Sequence, residues 1–159
     1  MAPPVSEIRI QRRVQFHETD AAGLVHFSVF FRYMEEAEHA LWRAAGLSIA
    51  PRGSEIGWPR LETSFEFREA LRFEDEFEIA IRVVEVASRT IRYECRLTRD
   101  GVRLATGRLT IVCVRKAAGE PMRAVAIPAE IAERFRALAD DDDGDGVGDG
   151  GFNERAGGT

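Results

Sequence analysis

Residues 16–46 read FHETDAAGLVHFSVFFRYMEEAEHALWRAAG, and the fold turns on this stretch. Phe30, Met34, Ala37, Leu41 and Ala45 recur at steps of three and four, and Tyr33, Ala40 and Ala44 widen the stripe. That spacing predicts one long amphipathic helix, with Arg32, Glu35, Glu36, His39 and Arg43 on its polar side. Ser28 is the expected N-cap, because its hydroxyl can accept from a free first-turn amide, and Gly46 is the expected C′ residue. Such a helix is roughly 25 Å long, enough to cross a sheet. Ahead of it lie a polar turn, His17, Glu18, Thr19 and Asp20, and a small-residue kink, Ala21, Ala22 and Gly23.

Outward from the helix the chain alternates as strands do. Ile8, Ile10, Val14 and Phe16 share one face of a first strand over 8–16, interrupted by Arg12. Residues 47–60, with Pro51, Gly53, Gly57 and Pro59, read as loop. Leu61, Thr63, Phe65 and Phe67 then alternate with polar residues, followed by Phe77, Ile79, Ile81 and Val83. The apolar phase slips at Val83-Val84 as a bulge would cause. Ile91, Tyr93, Cys95 and Leu97 form the next set, and Asp100-Gly101 is a strong hairpin signal. The last strand changes parity around Gly107, an expected bend, and Pro128 opens a short helix over 129–139. Strand, long helix, four strands and short helix give an α+β chain, in which a five-stranded, mostly antiparallel sheet curls around one helix.

Length and an apolar content of 45% suit one domain over residues 1–139. Residues 140–159 carry seven acids against Arg155 and almost no large apolar side chains, which predicts a disordered tail. Asp141, Asp143, Asp145 and Gly146 match part of a calcium loop, but Phe152 stands where the bidentate Glu belongs, so weak calcium binding is the minor reading. With the tail at −6, the body is left at +1, which is not a nucleic-acid footprint. No apolar run is long enough to span a membrane, and the start MAPPVSE is not a secretory signal. A cytoplasmic location is therefore expected. Pairing across Asp100-Gly101 sets Cys95 opposite residue 106 and Cys113 opposite residue 88, so two free thiols are expected rather than a disulfide. His17, His26 and His39 show no metal spacing with them, and no metal is expected.

The chemistry gathers in the loop before the helix. Asp20 is either a turn Asp bonding nearby backbone amides or a carboxylate aimed at a carbonyl. Amides around Phe27 and Ser28, at the positive end of the helix dipole, would favour a developing oxyanion. His17 and His26 compete as general bases, without an orienting acid at a fixed spacing. Of Glu35 and Glu36, set about 100° apart on a helix, at most one aims at a given site.

HETDAAGLVHF followed by FRYMEEAEHALWRAAGL resembles the 4-hydroxybenzoyl-CoA thioesterase-like branch of the hotdog-fold acyl-CoA thioesterases. The likeness continues through EFREALRFEDEFEIAIRVVEVASRTIRYECRL and closes at VCVRKAAGEPMRAVAIP, covering roughly residues 8 to 136. It implies a hotdog fold and hydrolysis of an acyl-CoA thioester, without a cofactor, since coenzyme A is part of the substrate. It implies that Asp20 is the catalytic carboxylate, nucleophile or general base. Gly23, Val25 and His26 would then belong to the thioester pocket, and the Phe27 amide would meet the carbonyl oxygen. Glu35 falls at a position that is acidic in family members. It also implies a homodimer or homotetramer with acyl-CoA held across a subunit interface. Val29 departs from the pattern, standing where many relatives have Asn or Ser. Arg89, in the turn with Ser88, is a candidate for the CoA phosphates. Two other readings stay open: a hydroxyacyl-thioester dehydratase using His26 with Glu35 or Glu36, and an acyl-CoA-binding protein without turnover.

Overall fold

The computed structural model describes residues 2–139, so the acidic tail and its partial calcium loop lie outside the described residues. In chain order the elements are β1 (Glu7–Arg13), a 3-10 turn (Phe16–Glu18), α1 (Phe27–Ala44), β2 (Ile56–Gly57), β3 (Arg60–Phe67), β4 (Glu76–Val86), β5 (Thr90–Arg99), β6 (Val102–Val112), β7 (Val114–Arg115), β8 (Arg123–Ala124) and α2 (Ala129–Ala132). Five strands form an antiparallel sheet in the order β1-β4-β5-β6-β3, and β2-β7-β8 form a small second sheet. This is the α+β arrangement of a five-stranded sheet packed on one long helix. The helix buries Phe30, Tyr33, Met34, Ala37, Glu38, Leu41 and Trp42. From the sheet, Phe77, Ile79, Ile81 and Val83 of β4, Tyr93, Cys95 and Leu97 of β5 and Ile111 of β6 join them in one core.

Several local expectations change. Helix α1 starts one residue before Ser28, at Phe27, and its N-cap is His26. The first strand ends at Arg13, and Phe16 lies in the 3-10 turn, 75% exposed, edge-on to Phe73. Strand β3 pairs with β6 and not with its successor β4, which leaves it at the sheet edge. The loop segment 47–60 contains β2, and the C-terminal helix ends at Ala132.

The β4 bulge falls between Val83 and Glu85, where the alternation slips. A second irregularity, between Leu97 and Thr98, moves the hairpin register by one, so Cys95 faces Gly107 rather than residue 106. Both cysteines are buried and free. β6 does not break at Gly107, which pairs with Cys95 on one side and Phe65 on the other. The glycine is there for space: a Cβ would lie 2.5 Å from Phe65 Cζ.

Candidate functional site

Residues 18–26 form a small hairpin in front of the helix. His26 N donates to Glu18 O at 2.9 Å, Asp20 N donates to Leu24 O at 2.7 Å, and Thr19 bridges Val25. Asp20 sits at its tip and Gly23 closes the turn at φ +77°, a backbone conformation that suits glycine. A second contact, Val25 N to Leu71 O at 2.8 Å, ties the hairpin to the loop before β4. The tip is therefore fixed at both ends by backbone bonds.

The Asp20 carboxylate divides its work. Oδ1 accepts from Ala22 N at 2.9 Å and Leu24 N at 3.2 Å, which is the turn-Asp arrangement. Oδ2 has no partner among the described residues, and the side chain is exposed. Two amides holding one oxygen fix the plane of the carboxylate and leave the other oxygen available to react.

His26 caps the helix. Its Nδ1 accepts from Ser28 N at 3.2 Å and lies 2.7 Å from Ser28 Oγ, so the ring proton of the neutral imidazole belongs on Nε2. The ring stacks on Phe27 at 4.6 Å between centroids. With Ser28 N taken by His26 and Val29 N donating to His26 O at 2.9 Å, the Phe27 amide alone among the first three has no acceptor within the described residues. Phe27 itself is 64% exposed. This leaves one unsatisfied donor at the positive end of an 18-residue helix.

Glu18 is the support under this site, and the sequence alone hid it among four polar turn residues. It is buried, with Oε1 accepting from Gln15 N (2.7 Å) and the Tyr33 hydroxyl (3.0 Å) and Oε2 from Arg12 Nη2 (2.7 Å). Arg12 also donates to Glu36 and lies over the Tyr33 ring. Its guanidinium is held firmly protonated, chiefly by the hydrogen bond to Glu36. Burial and the neighbouring Glu18 push the Tyr33 phenol up, so it stays a donor. The Arg12 interruption in the first strand thus has a purpose.

The remaining candidates do not all meet. His17 is exposed in the 3-10 turn. Glu35 accepts from Arg60 Nη2 at 3.1 Å, and at about 1.5 Å per residue it lies more than 13 Å along the helix from His26. Glu36 is paired with Arg12, so neither acid faces His26. Ser88 and Arg89 are exposed in the β4–β5 turn, where their carbonyls accept from Ile127 N and Cys113 N. β4 begins beside the Asp20 hairpin and runs 11 residues to that turn, which puts Arg89 at the far end of the sheet. His39, expected in solvent, is half-buried and 3.8 Å from Glu38.

Residues 14–135 match the family described as the thioesterase-like superfamily. A putative esterase of Aquifex aeolicus is 30% identical over 124 residues, 77% of this chain and 93% of the relative. The acyl-CoA thioesterase YbgC of Haemophilus influenzae is 24% identical over 128 residues, 79% of this chain and 92% of the relative. Among solved structures, 4-hydroxybenzoyl CoA thioesterase from a Pseudomonas strain superposes with a TM-score of 0.70 at 22% identity, covering 81% of this chain and 99% of that one; this likeness is one of fold.

Proposed function

The chain belongs to the thioesterase-like superfamily, and we propose that it hydrolyses acyl-CoA thioesters to a free acid and coenzyme A. The observation that carries the reading is a carboxylate with one free oxygen, on the hairpin that leads directly into α1, and a first helix amide with no acceptor among the described residues. Asp20 Oδ2 attacks the thioester carbonyl carbon, the C–S bond breaks, coenzyme A leaves as thiolate, and water hydrolyses the resulting mixed anhydride. In the variant form Oδ2 takes the proton from the attacking water instead. The carbonyl oxygen, as it gains charge, accepts from the Phe27 amide, a type of contact that lowers barriers by roughly 3 to 4 kcal/mol. A leaving thiol with a pKa of about 8.5, as in Cys, needs little acid assistance. That is consistent with a site holding one carboxylate and no triad. His26 serves by capping the helix, and Gly23 and Val25 shape the turn.

The working unit in this reading is a dimer or tetramer. Strand β3 lies at the sheet edge with its partner-free side open, and it carries Leu61 and Phe67 exposed. Such an edge is a template for pairing with another chain. Antiparallel pairing of two β3 strands also brings the Arg89 end of one subunit toward the Asp20 end of the other, where its charge can meet the CoA phosphates.

The test is a thiol-release assay on purified protein across short-chain, medium-chain and aromatic acyl-CoAs. Thiol release with at least one of them is expected. Binding without release would favour the non-catalytic reading, and formation of an enoyl thioester from a hydroxyacyl-CoA would favour the dehydratase.

A further inference from the structure

About three turns along α1 from His26, Glu38 is fully buried and holds Arg60 in a fork. Arg60 Nη1 donates to Oε2 at 3.0 Å and Nη2 to Oε1 at 2.6 Å, while Nη2 also reaches Glu35. Behind the pair the Tyr93 hydroxyl faces Glu38 and accepts from Trp42 Nε1 at 2.9 Å. This bracing fixes Arg60 at the edge of a cleft of about 250 Å3, walled by Ile49, Ile56 and Trp58 and also lined by Lys116. That is smaller than the roughly 300–1,000 Å3 of clefts for drug-sized ligands, so it suits a small acid.

Lys116 is the only lysine in the chain, and a glycine makes room for it. A Cβ at Gly57 would meet Lys116 Cε at 2.8 Å and Nζ at 3.3 Å, so the lysine stem runs through the space a side chain at 57 would fill. The charge of Arg60 is answered by Glu38 and Glu35. Lys116 has no ion-pair partner among the described residues. The cleft therefore sets Ile49, Ile56 and Trp58 beside the polar Ser54 and His39, with the ammonium of the exposed Lys116 at its rim lacking an ion-pair partner among the described residues, the chemistry of a site for an organic anion.

Its position connects it to the reaction. Within one subunit the cleft is roughly 18 Å along the helix from the Asp20 hairpin, too far to share a small substrate. Arg60 opens β3, while Phe65 and Phe67 close it and pack on Phe30 in the first turn of α1, at 5.8 and 5.0 Å. Antiparallel pairing of two β3 edges sets the Arg60 end of one subunit beside the Phe67 end of the other. Such pairing would bring the cleft of one subunit to the end of the sheet at which Asp20 and Phe27 of the other lie.

We propose that this cleft receives the acyl end of the substrate and that Lys116 selects acyl groups ending in a carboxylate. The proposal rests on the thioesterase reading. Its test compares kcat/KM for adipyl-CoA and hexanoyl-CoA, six-carbon thioesters that differ in the terminal carboxylate. Wild type should favour adipyl-CoA by at least about tenfold, the effect of one charge-assisted hydrogen bond. The ratio should fall to about one in Lys116→Met and also in Gly57→Ala, which displaces the lysine stem through a flexible side chain without a backbone clash. Hydrolysis of both thioesters at equal efficiency, or a preference unchanged in Lys116→Met, overturns the proposal and leaves the reaction standing. Calorimetry with free adipate covers the other branch. Adipate binding lost in Lys116→Met, without turnover of any acyl-CoA, supports the site while refuting the reaction. No turnover together with adipate binding that is absent or indifferent to Lys116→Met overturns both.

Discussion

The Tyr33 hydroxyl donates to Glu18 Oε1 at 3.0 Å, joining the core face of α1 to the base of the hairpin that carries Asp20. Tyr33→Phe removes one of several donors to Glu18 and should cost about 0.5–1.5 kcal/mol. Glu18→Ala removes the acceptor for Gln15 N, Tyr33 and Arg12 together and should cost more, about 2–3 kcal/mol, since it leaves buried donors unsatisfied while Arg12 keeps Glu36. Urea denaturation of the two variants checks both the sizes and their order.

The His26 cap is open to a rescue experiment. His26→Ala leaves Ser28 N without its acceptor and should lower stability by about 1 kcal/mol, whereas His26→Asn restores a cap oxygen and should recover most of the loss. Thermal melts of the pair decide it. Equal melting of the alanine and asparagine variants would show that the cap contributes nothing.

Much of this fold could be read in advance, and the reasons differ by element. The helix was legible because its apolar stripe has one period throughout, from Phe30 to Ala45. The Val83 bulge and the Asp100-Gly101 hairpin were legible because each leaves a local mark. The place of β3 was not, because pairing with β6 is a contact between strands far apart in sequence. Glu18 stands undistinguished among four polar turn residues and nothing in the sequence marks Glu38, since their partners, Arg12 and Arg60, come from strands that no helical period points to. Ser28 looked like the cap because His rarely fills that role. The likeness to hotdog thioesterases points to Asp20 and Phe27; the free Oδ2 and the unpaired amide depend on the hydrogen bonds of the 18–26 hairpin and the His26 cap, which no spacing in the sequence marks.

Gly107 and Phe65 make a packing prediction. Gly107→Ala places a methyl group into the Phe65 ring, with Cζ at 2.5 Å and Cε1 at 2.7 Å, and should destabilise by about 1–3 kcal/mol. Adding Phe65→Leu should recover part of that loss. A double-mutant cycle by urea denaturation checks the coupling.

Burial raises the Glu38 carboxyl above the ordinary range, opposed by its hydrogen bond to Arg60. A raised carboxyl means that the folded state holds its proton more tightly than the unfolded chain does. Stability from this group is complete below the unfolded pKa and is lost as pH rises through the folded one. Relative to Glu38→Gln, the wild type should therefore lose stability as pH climbs from the carboxylate range toward neutrality. Unfolding free energies of both proteins across that range supply the check, and a difference that grows in favour of wild type would refute it.

The most direct test of the central claim is steady-state thiol release by wild type and Asp20→Asn, with acyl-CoA binding measured alongside by calorimetry. Asparagine keeps an oxygen for Ala22 N and Leu24 N, so the hairpin should hold its shape. Turnover should fall by about 10²–10⁴-fold, the range for losing a group that works on the reacting bond, while acyl-CoA affinity and melting temperature stay close to wild type. Turnover near the wild-type rate in Asp20→Asn would contradict it.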